Sequence, residues 1–469
     1  MKQENIIESQ NEEEKSIDQN MKVLRNIRFQ HIVDINMVRV FISLWLVVSI
    51  LVTIPLFREK GYSDFEKRDL KEFPNFSWSD LVSGKYFDDI GLWFSDTFPL
   101  RDKLVSFNAG VTHAFGINDV EVHGDVVEGD EIPDVNSQED NVIIDIPSIP
   151  SSTPESAPES KPEPQEPVVE QLGAMLIVEN SAYEYYNFNR AAADNYCIAI
   201  NRAATILEGK SKVYNMIIPT SMAITLPENY KDRTNSSDQK QAIDYMYSRI
   251  TPSVNKIDVY STLVAHKDEY IYFRTDHHWT ALGAYYAYRD LMTAKGAIPA
   301  ELSAFNEYRF DGFLGSFYAE SGQKASLGNS PDYVMAYEPK QLQKIHTYTA
   351  AGEIKYSIVS DGNKLSAANK YLSFVCGDHP YGIMTNPEIT DGSSCLVIKE
   401  SFGNPLVPFL TQNYQTVYVV DYRYINQVFP GTLRQFVDER GIQDVMFINN
   451  VSATRSPALV NALSAFVGQ

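Results

Sequence analysis

The chain has 469 residues, 44% of them apolar and 12% aromatic, which fills more than one sizeable core and excludes a wholly disordered protein. A formal net charge of −21 excludes the clustered basic surface that a phosphate backbone requires, and so argues against nucleic acid as a partner. Cys197, Cys376 and Cys395 lack metal-ligand spacing and read as buried small hydrophobes, with a Cys376–Cys395 bridge open if the domain is exported.

In chain order, residues 1–39 form a polar amino-terminal tail. Residues 40–57, "VFISLWLVVSILVTIPLF", then run without a charge between Arg39 and Arg58. Eighteen residues is near the lower limit for a spanning helix. The run lies too far from the start for a signal peptide and no small-residue cleavage site comes after it, so it is expected to be an uncleaved transmembrane anchor; a buried core helix is the competing assignment. Flanking charge does not decide orientation, because Lys22, Arg25, Arg28 and Arg39 are matched by Arg58, Lys60, Lys67, Arg68 and Lys71. Long domains translocate largely regardless of charge, so the size of the carboxyl-terminal portion, together with the scarcity of cysteine, favours a cytoplasmic tail and an extracytoplasmic domain at the cell membrane.

Residues 58–118 are the amino-terminal part of that module. From Asp119 to Glu170 there are fifteen acids against one base, Lys161, so this stretch carries −14 of the net charge and eight of the 23 prolines. Such a composition cannot bury enough apolar surface to offset chain entropy, and residues 119–170 are expected to be a disordered acidic, Pro-rich linker.

Residues 171–469 alternate apolar runs with amphipathic ones. "GAMLIVEN", "VYNMIIPT", "NKIDVYSTL", "KYLSFVCGD", "SSCLVIKES", "QTVYVVDYR" and "IQDVMFINN" read as strands covered on both faces. Tyr185 to Leu207 reads as a helix with Tyr196, Ile200, Ala203 and Leu207 on one stripe. The pattern predicts a doubly wound α/β domain with a mainly parallel sheet, whose ligands bind outside the carboxyl ends of the strands.

Within this domain, "TDHHWTALGAYYAYRDLM" (275–292) has three readings. Asp276 can cap a helix that Leu282, Tyr286 and Arg289 continue. Asp276, His277 and His278 can begin a metal site, but consecutive residues diverge and further ligands are missing, so no metal is expected. Or Asp276 can orient His278, two residues on in a turn, as the base for a nucleophile, with Trp279 walling the site. "SSCLVIKESFGNPLVPFL" offers that nucleophile: Ser401 lies in a sharp strand-to-helix turn beside free backbone N–H groups, with Asn404 and Pro405 opening the helix. Of the Gly-x-Ser-x-Gly elbow only Gly403 is present, and Lys399 takes the first glycine's place, so an N-capping serine stays open. Arg274 could hold Asp276 ionised or cover apolar surface with its stem.

"DHHW", "KESFGN", "EKRDLKEFP" (66–74) and "DTFPLRD" (96–102) together resemble the bacterial DHHW family. That family is similar to the alginate O-acetylation proteins, with their permuted SGNH-hydrolase-like domain. The resemblance spans residues 60–118 and 173–455. It implies a Ser-His-Asp triad in which Asp276 orients, His278 is the base and Ser401 the nucleophile, transferring acetyl groups to extracytoplasmic polysaccharide without metal or nucleotide cofactor. It also implies a multi-spanning acyltransferase partner that hands acetyl groups across the membrane. Glu400 departs from the aspartate usual before the serine. The Ser401 amide and Gly377 are assigned as oxyanion donors, and Arg423 as a substrate-binding group or a structural partner of Asp421. The same triad with water as acceptor gives a carbohydrate esterase, and a silent site leaves a glycan-binding scaffold.

Overall fold

The computed structural model describes residues 37, 39–43, 45, 62–63, 68–83, 85–98, 120–135, 172–231 and 234–468. These fall into two compact units, the described residues up to 98 and those from 120 onward. In the first, the helices Trp78–Ser83 and Lys85–Asp96 follow a short antiparallel pairing of Tyr62–Ser63 with Arg68–Asp69. Phe73 meets Trp93 edge to face at 4.8 Å. Among the described residues no helix is long and apolar enough to cross a membrane. The expected anchor at 40–57 lies outside them, except for 40–43 and 45.

The second unit is built on an eight-stranded sheet, whose order from edge to edge is Gly352–Ser357, Lys344–Thr349, Tyr381–Thr385, Thr416–Asp421, Ser394–Lys399, Asp444–Asn450, Lys212–Ile218, Asn255–Ile257. The last five are parallel and the first three join antiparallel, so the sheet is mixed. All six residues of Ser394–Lys399 are buried, as expected for a strand covered on both faces. Leu396 and Ile398 pack with Val445, Phe447, Val213 and Ile217 against Tyr196 and Ile200 of the helix Arg190–Ile206. Cys395 and Val397 pack with Met446, Ile448 and Met216 against Ala284 and Tyr288 of the helix Ala281–Lys295. The period of two in the strands and of about 3.6 in the helices thus divides the core into two layers.

After Ser394–Lys399 the chain forms the strand on one side of it, then crosses to form the strand on the other. Its carboxyl end is therefore a topological switch point, where open α/β sheets leave a crevice.

Three expectations are corrected and one open alternative is closed. "KYLSFVCGD" is no strand: Ala367–Ser373 is a 3-10 helix, and Val375, Cys376 and Gly377 have φ of 46°, 61° and 85°, which no ladder accommodates. All three cysteines are free, and Cys376 has no neighbouring strand position from which to reach Cys395. "GAMLIVEN" supplies Met175–Val178 to a separate three-stranded antiparallel sheet with Val120–His123 and Ser181–Glu184. Ordered structure accordingly reaches into the 119–170 stretch: the backbone N–H of Asp130 donates to Phe188 O (2.8 Å) and its carboxylate accepts from Arg190 N (2.8 Å). Here Asp130 meets a backbone donor and Glu121 pairs with Lys324, so residues 120–135 of the acidic stretch have fixed structure. A further hairpin, Phe305–Phe313 with Asp332–Pro339, was not foreseen.

Candidate active site

The Asp-His-His-Trp segment sits in a tight loop closed by an antiparallel bridge between Tyr272 and Trp279. Phe273 N donates to His278 O (3.2 Å), and Thr280 N to Ile271 O (2.9 Å). Thr280, not Asp276, caps the helix Ala281–Lys295, its side chain accepting from Gly283 N. Asp276 is thereby released for other work. Asp332, from the unforeseen hairpin, fixes the loop from outside: it accepts from Arg274 N (3.0 Å), Thr275 N (2.7 Å) and Thr275 Oγ1 (2.7 Å). Arg274 pairs with this same Asp332 through Nε at 3.1 Å rather than with Asp276.

Asp276 is buried and accepts four hydrogen bonds. Oδ1 takes the backbone N–H of His278 (3.0 Å) and its Nδ1 (2.6 Å). Oδ2 takes Ser316 N (2.9 Å) and Ser316 Oγ (3.1 Å). Residue 315 is glycine because a Cβ there would lie 2.2 Å from Asp276 Oδ2. Burial alone would raise the Asp276 pKa, but the charge of His278 and its hydrogen bond, His277 and the Ser316 N–H outweigh it and hold the carboxyl well below the usual carboxylate range. With the carboxylate accepting at Nδ1, Nε2 of His278 is the basic nitrogen, and it lies 2.8 Å from Ser401 Oγ.

Ser401 is placed from the other side of the chain. It opens the 3-10 turn Ser401–Gly403 at the end of the Ser394–Lys399 strand, at the switch point of the sheet. Glu400, fully buried, ties this turn to the neighbouring strand, accepting from Phe402 N (2.7 Å) and Asn450 N (2.8 Å). Its length spans the gap between the two amides. Gly403 has no room for a side chain, since a Cβ would lie 2.7 Å from Cβ of Lys399. The helix expected at Asn404 begins later, at Val407–Leu410. The amides of Phe402, Gly403 and Asn404 are spent within the turn, on Glu400 Oε2, Glu400 O and Ser401 O.

The structure brings Asp276, His278 and Ser401 together. Gly377, Arg423 and Trp279 hold other positions. Gly377 donates its N–H to Phe374 O (2.9 Å) and lines a small cavity with Lys399 and His379. Arg423 is engaged by Asp421 (Nε, 2.9 Å) and Asp378 (2.8 Å). Trp279 has 0% exposure and donates its indole N–H to Phe402 O (2.8 Å), so it latches the base-bearing loop onto the serine turn instead of walling a binding site. Ser316 and Tyr371, which stacks on His278, were not foreseen: Ser316 lies 40 residues beyond Asp276 with no motif around it, and Tyr371 lies inside the segment whose apolar run reads as a strand.

Asp276, His277 and His278 could also each offer one ligand atom to a cation, all within 4.8 Å of one another. The 2.6 Å contact of Asp276 Oδ1 with His278 Nδ1 commits two of those atoms to each other, and His277 Nδ1 is 2.7 Å from Ser316 Oγ. A hydrogen-bonded relay satisfies this donor set better than a metal does.

A family model described as "DHHW protein" matches residues 66–166 and 163–420. Among solved structures the chain is similar to a DHHW family protein from Eubacterium siraeum, with 26% identity, a TM-score of 0.55 and coverage of 65% of this chain and 98% of that one. Bacillus cereus PatB1, solved with a sulfonyl adduct, is similar in fold, with 17% identity and a TM-score of 0.50 over 61% of this chain and 97% of that one. The O-acetyltransferase domain of Pseudomonas putida AlgJ matches at 13% identity and a TM-score of 0.31 over 61% of this chain and 96% of that one, too distant to carry an argument. No curated protein matches the sequence.

Proposed function

The chain belongs to the DHHW family, and from that membership and the geometry of its buried polar cluster we propose that it is an O-acetyltransferase of the SGNH-like type, acting on cell-surface or exopolysaccharide. Ser401 is the nucleophile, His278 the general base and Asp276 the group that fixes the imidazole. The observation that carries this is the unbroken relay from Asp276 Oδ1 to His278 Nδ1 (2.6 Å) and from His278 Nε2 to Ser401 Oγ (2.8 Å).

In the first step Ser401 Oγ attacks the acetyl carbonyl of the donor while its proton passes to His278 Nε2. The donor's leaving group departs with that proton, and acetyl-serine remains. In the second step a sugar hydroxyl gives its proton to Nε2 and attacks the acetyl-serine; the serine oxygen leaves and recovers the proton. Asp276 stays ionised throughout and faces the imidazolium formed in each step. The likeness of the DHHW family to the alginate O-acetylation proteins, carried by the sequence motifs, supports acetyl as the acyl group and polysaccharide as the acceptor class. The low exposure of Ser401 (7%) and His278 (6%) supports a fitted sugar acceptor over water, and so transfer over hydrolysis by an esterase.

The reading includes the anchor at 40–57, an extracytoplasmic domain over 58–118 and 171–469, and a multi-spanning acyltransferase that hands the acetyl group outward. It is tested by intact-mass measurement after exposure to p-nitrophenyl acetate. One acetyl group on the parent chain and none on Ser401→Ala or His278→Ala, both folded by circular dichroism, is the expected result. Equal acetylation of Ser401→Ala ends the proposal.

A further inference from the structure

His278 is held by more than its hydrogen bonds. Tyr371 lies flat against the imidazole, with ring centroids 3.8 Å apart and planes within 15°. His277 is a second neighbouring ring, at 3.7 Å and 37°, and Phe402 a third, at 5.2 Å and 40°. The Tyr371 hydroxyl reaches past the imidazole to donate to the backbone carbonyl of Ser401 at 2.8 Å. One side chain, on the 3-10 helix Ala367–Ser373, therefore touches both the base and the residue that carries the nucleophile. Its own place is fixed: it is 4% exposed, and Phe374 and Phe273 meet it edge to face at 5.2 and 6.3 Å.

We propose that Tyr371 is a positioning residue of the acyl-transfer site, whose ring holds the His278 imidazole in line with Ser401 and stabilises the imidazolium formed when the serine proton is taken up, while its hydroxyl fixes the serine turn. The inference rests on the triad reading. The physical reason is the sign of the aromatic quadrupole: the face of a tyrosine ring is negative and attracts a cation placed over it, most strongly where water is excluded. The imidazole is neutral before proton transfer and positive after it, so this attraction grows along the reaction and lowers the barrier rather than merely tightening binding. Other polar groups around the imidazole include Asp276 and His277 from its own loop, with Glu400 behind Ser401 at 3.4 Å from its Oγ. Tyr371 links the base to the serine's backbone.

The test compares Tyr371→Phe, Tyr371→Leu and Tyr371→Met in the full chain, using p-nitrophenyl acetate turnover and the rate of Ser401 acetylation by intact mass. Tyr371→Phe keeps the ring and loses the hydroxyl bond, and its kcat is expected to fall by about fivefold. Tyr371→Leu and Tyr371→Met remove the ring and are expected to lose about a further tenfold in kcat, with KM unchanged. Two ringless variants guard against one that does not fold, and melting curves identify such a case. Ringless variants as fast as Tyr371→Phe, or a loss confined to KM, overturn the inference while leaving the triad intact. A parent chain that is never acetylated at Ser401 overturns the triad, and this inference with it.

Discussion

Two buried polar clusters stand at the same carboxyl edge of the parallel strands, separated along the chain by a single residue. One is Asp276, His278 and Ser401. The other is Lys399, Asp378, Asp421 and Arg423: Lys399 Nζ lies 3.1 Å from Asp378 and 3.2 Å from Asp421, and Arg423 NH2 lies 2.8 and 2.7 Å from the same two carboxylates. By charge and burial alone the second is the more conspicuous. Yet its two cations balance two anions, so its charges are already matched. The first cluster holds one anion, an imidazole and a hydroxyl, so it has a carboxylate in place before any cation exists and a proton that can move. On the function proposed above, what separates chemistry from scaffolding is that unmatched anion at the end of a proton path, not the amount of buried charge. The two are joined mechanically, because Asn404, just past the serine turn, donates to Asp378 (2.9 Å) and Gly403 lies against the Lys399 stem.

The contrast is broken most directly by replacing one member of each cluster. Asp276→Asn keeps the shape but removes the charge that waits for the imidazolium. Its kcat is expected to fall by about 10³ to 10⁴, and its melting temperature to drop by the stability that the depressed Asp276 carboxyl contributes above about pH 4. Lys399→Met acts on stability rather than turnover: it leaves the fully buried Asp421 with less compensation, and unfolding in urea is expected to show a loss of about 3 to 5 kcal/mol. The fraction still folded, counted by Ser401 acetylation, turns over within about tenfold of the parent, since no step of the relay passes through Lys399. Should Lys399→Met unfold normally and fail to acetylate, the second cluster belongs to the chemistry and the distinction drawn above is wrong.

The sequence carried the first cluster further than the second. Asp276 and His278 are two residues apart, Ser401 follows a continuous apolar strand, and both patterns are local, so the three could be singled out as candidates without coordinates, while the roles proposed for them came from the family resemblance. The parallel strands were legible for the same reason, since runs such as "SCLVIK" are uniformly apolar. What stayed hidden is what depends on distant partners. Asp332 pins the loop from 57 residues away, Ser316 takes the second oxygen of Asp276, and Trp279 binds the carbonyl of Phe402. Gly377 and Arg423 were drawn into the site because they come after apolar runs, and the true partners of each lie in contacts that no spacing encodes. The strand read into "KYLSFVCGD" failed because Val375 and Cys376 adopt left-handed backbone angles, against the preference of a β-branched residue, where only tertiary packing can hold them.

A smaller effect sharpens the comparison further, because each cluster contains a carboxylate held low in the folded protein. Burial by itself raises the pKa of Asp276 and of Asp378, but His278 in one case, and Lys399 and Arg423 in the other, overcome it and hold both well below the usual carboxylate range. A carboxyl depressed in the folded state binds its proton more readily when unfolded. Its contribution is therefore complete above the unfolded pKa of about 4 and is lost as pH falls from there toward the folded value, at about 1.4 kcal/mol per pH unit for each group. Urea midpoints measured from pH 5 down to pH 3 should decline in the parent chain. In Asp276→Asn only Asp378 remains of the pair, and the decline should be shallower by one group's share. An unchanged slope would mean that Asp276 does not carry its charge in the folded protein, and the anion waiting for the imidazolium would be absent.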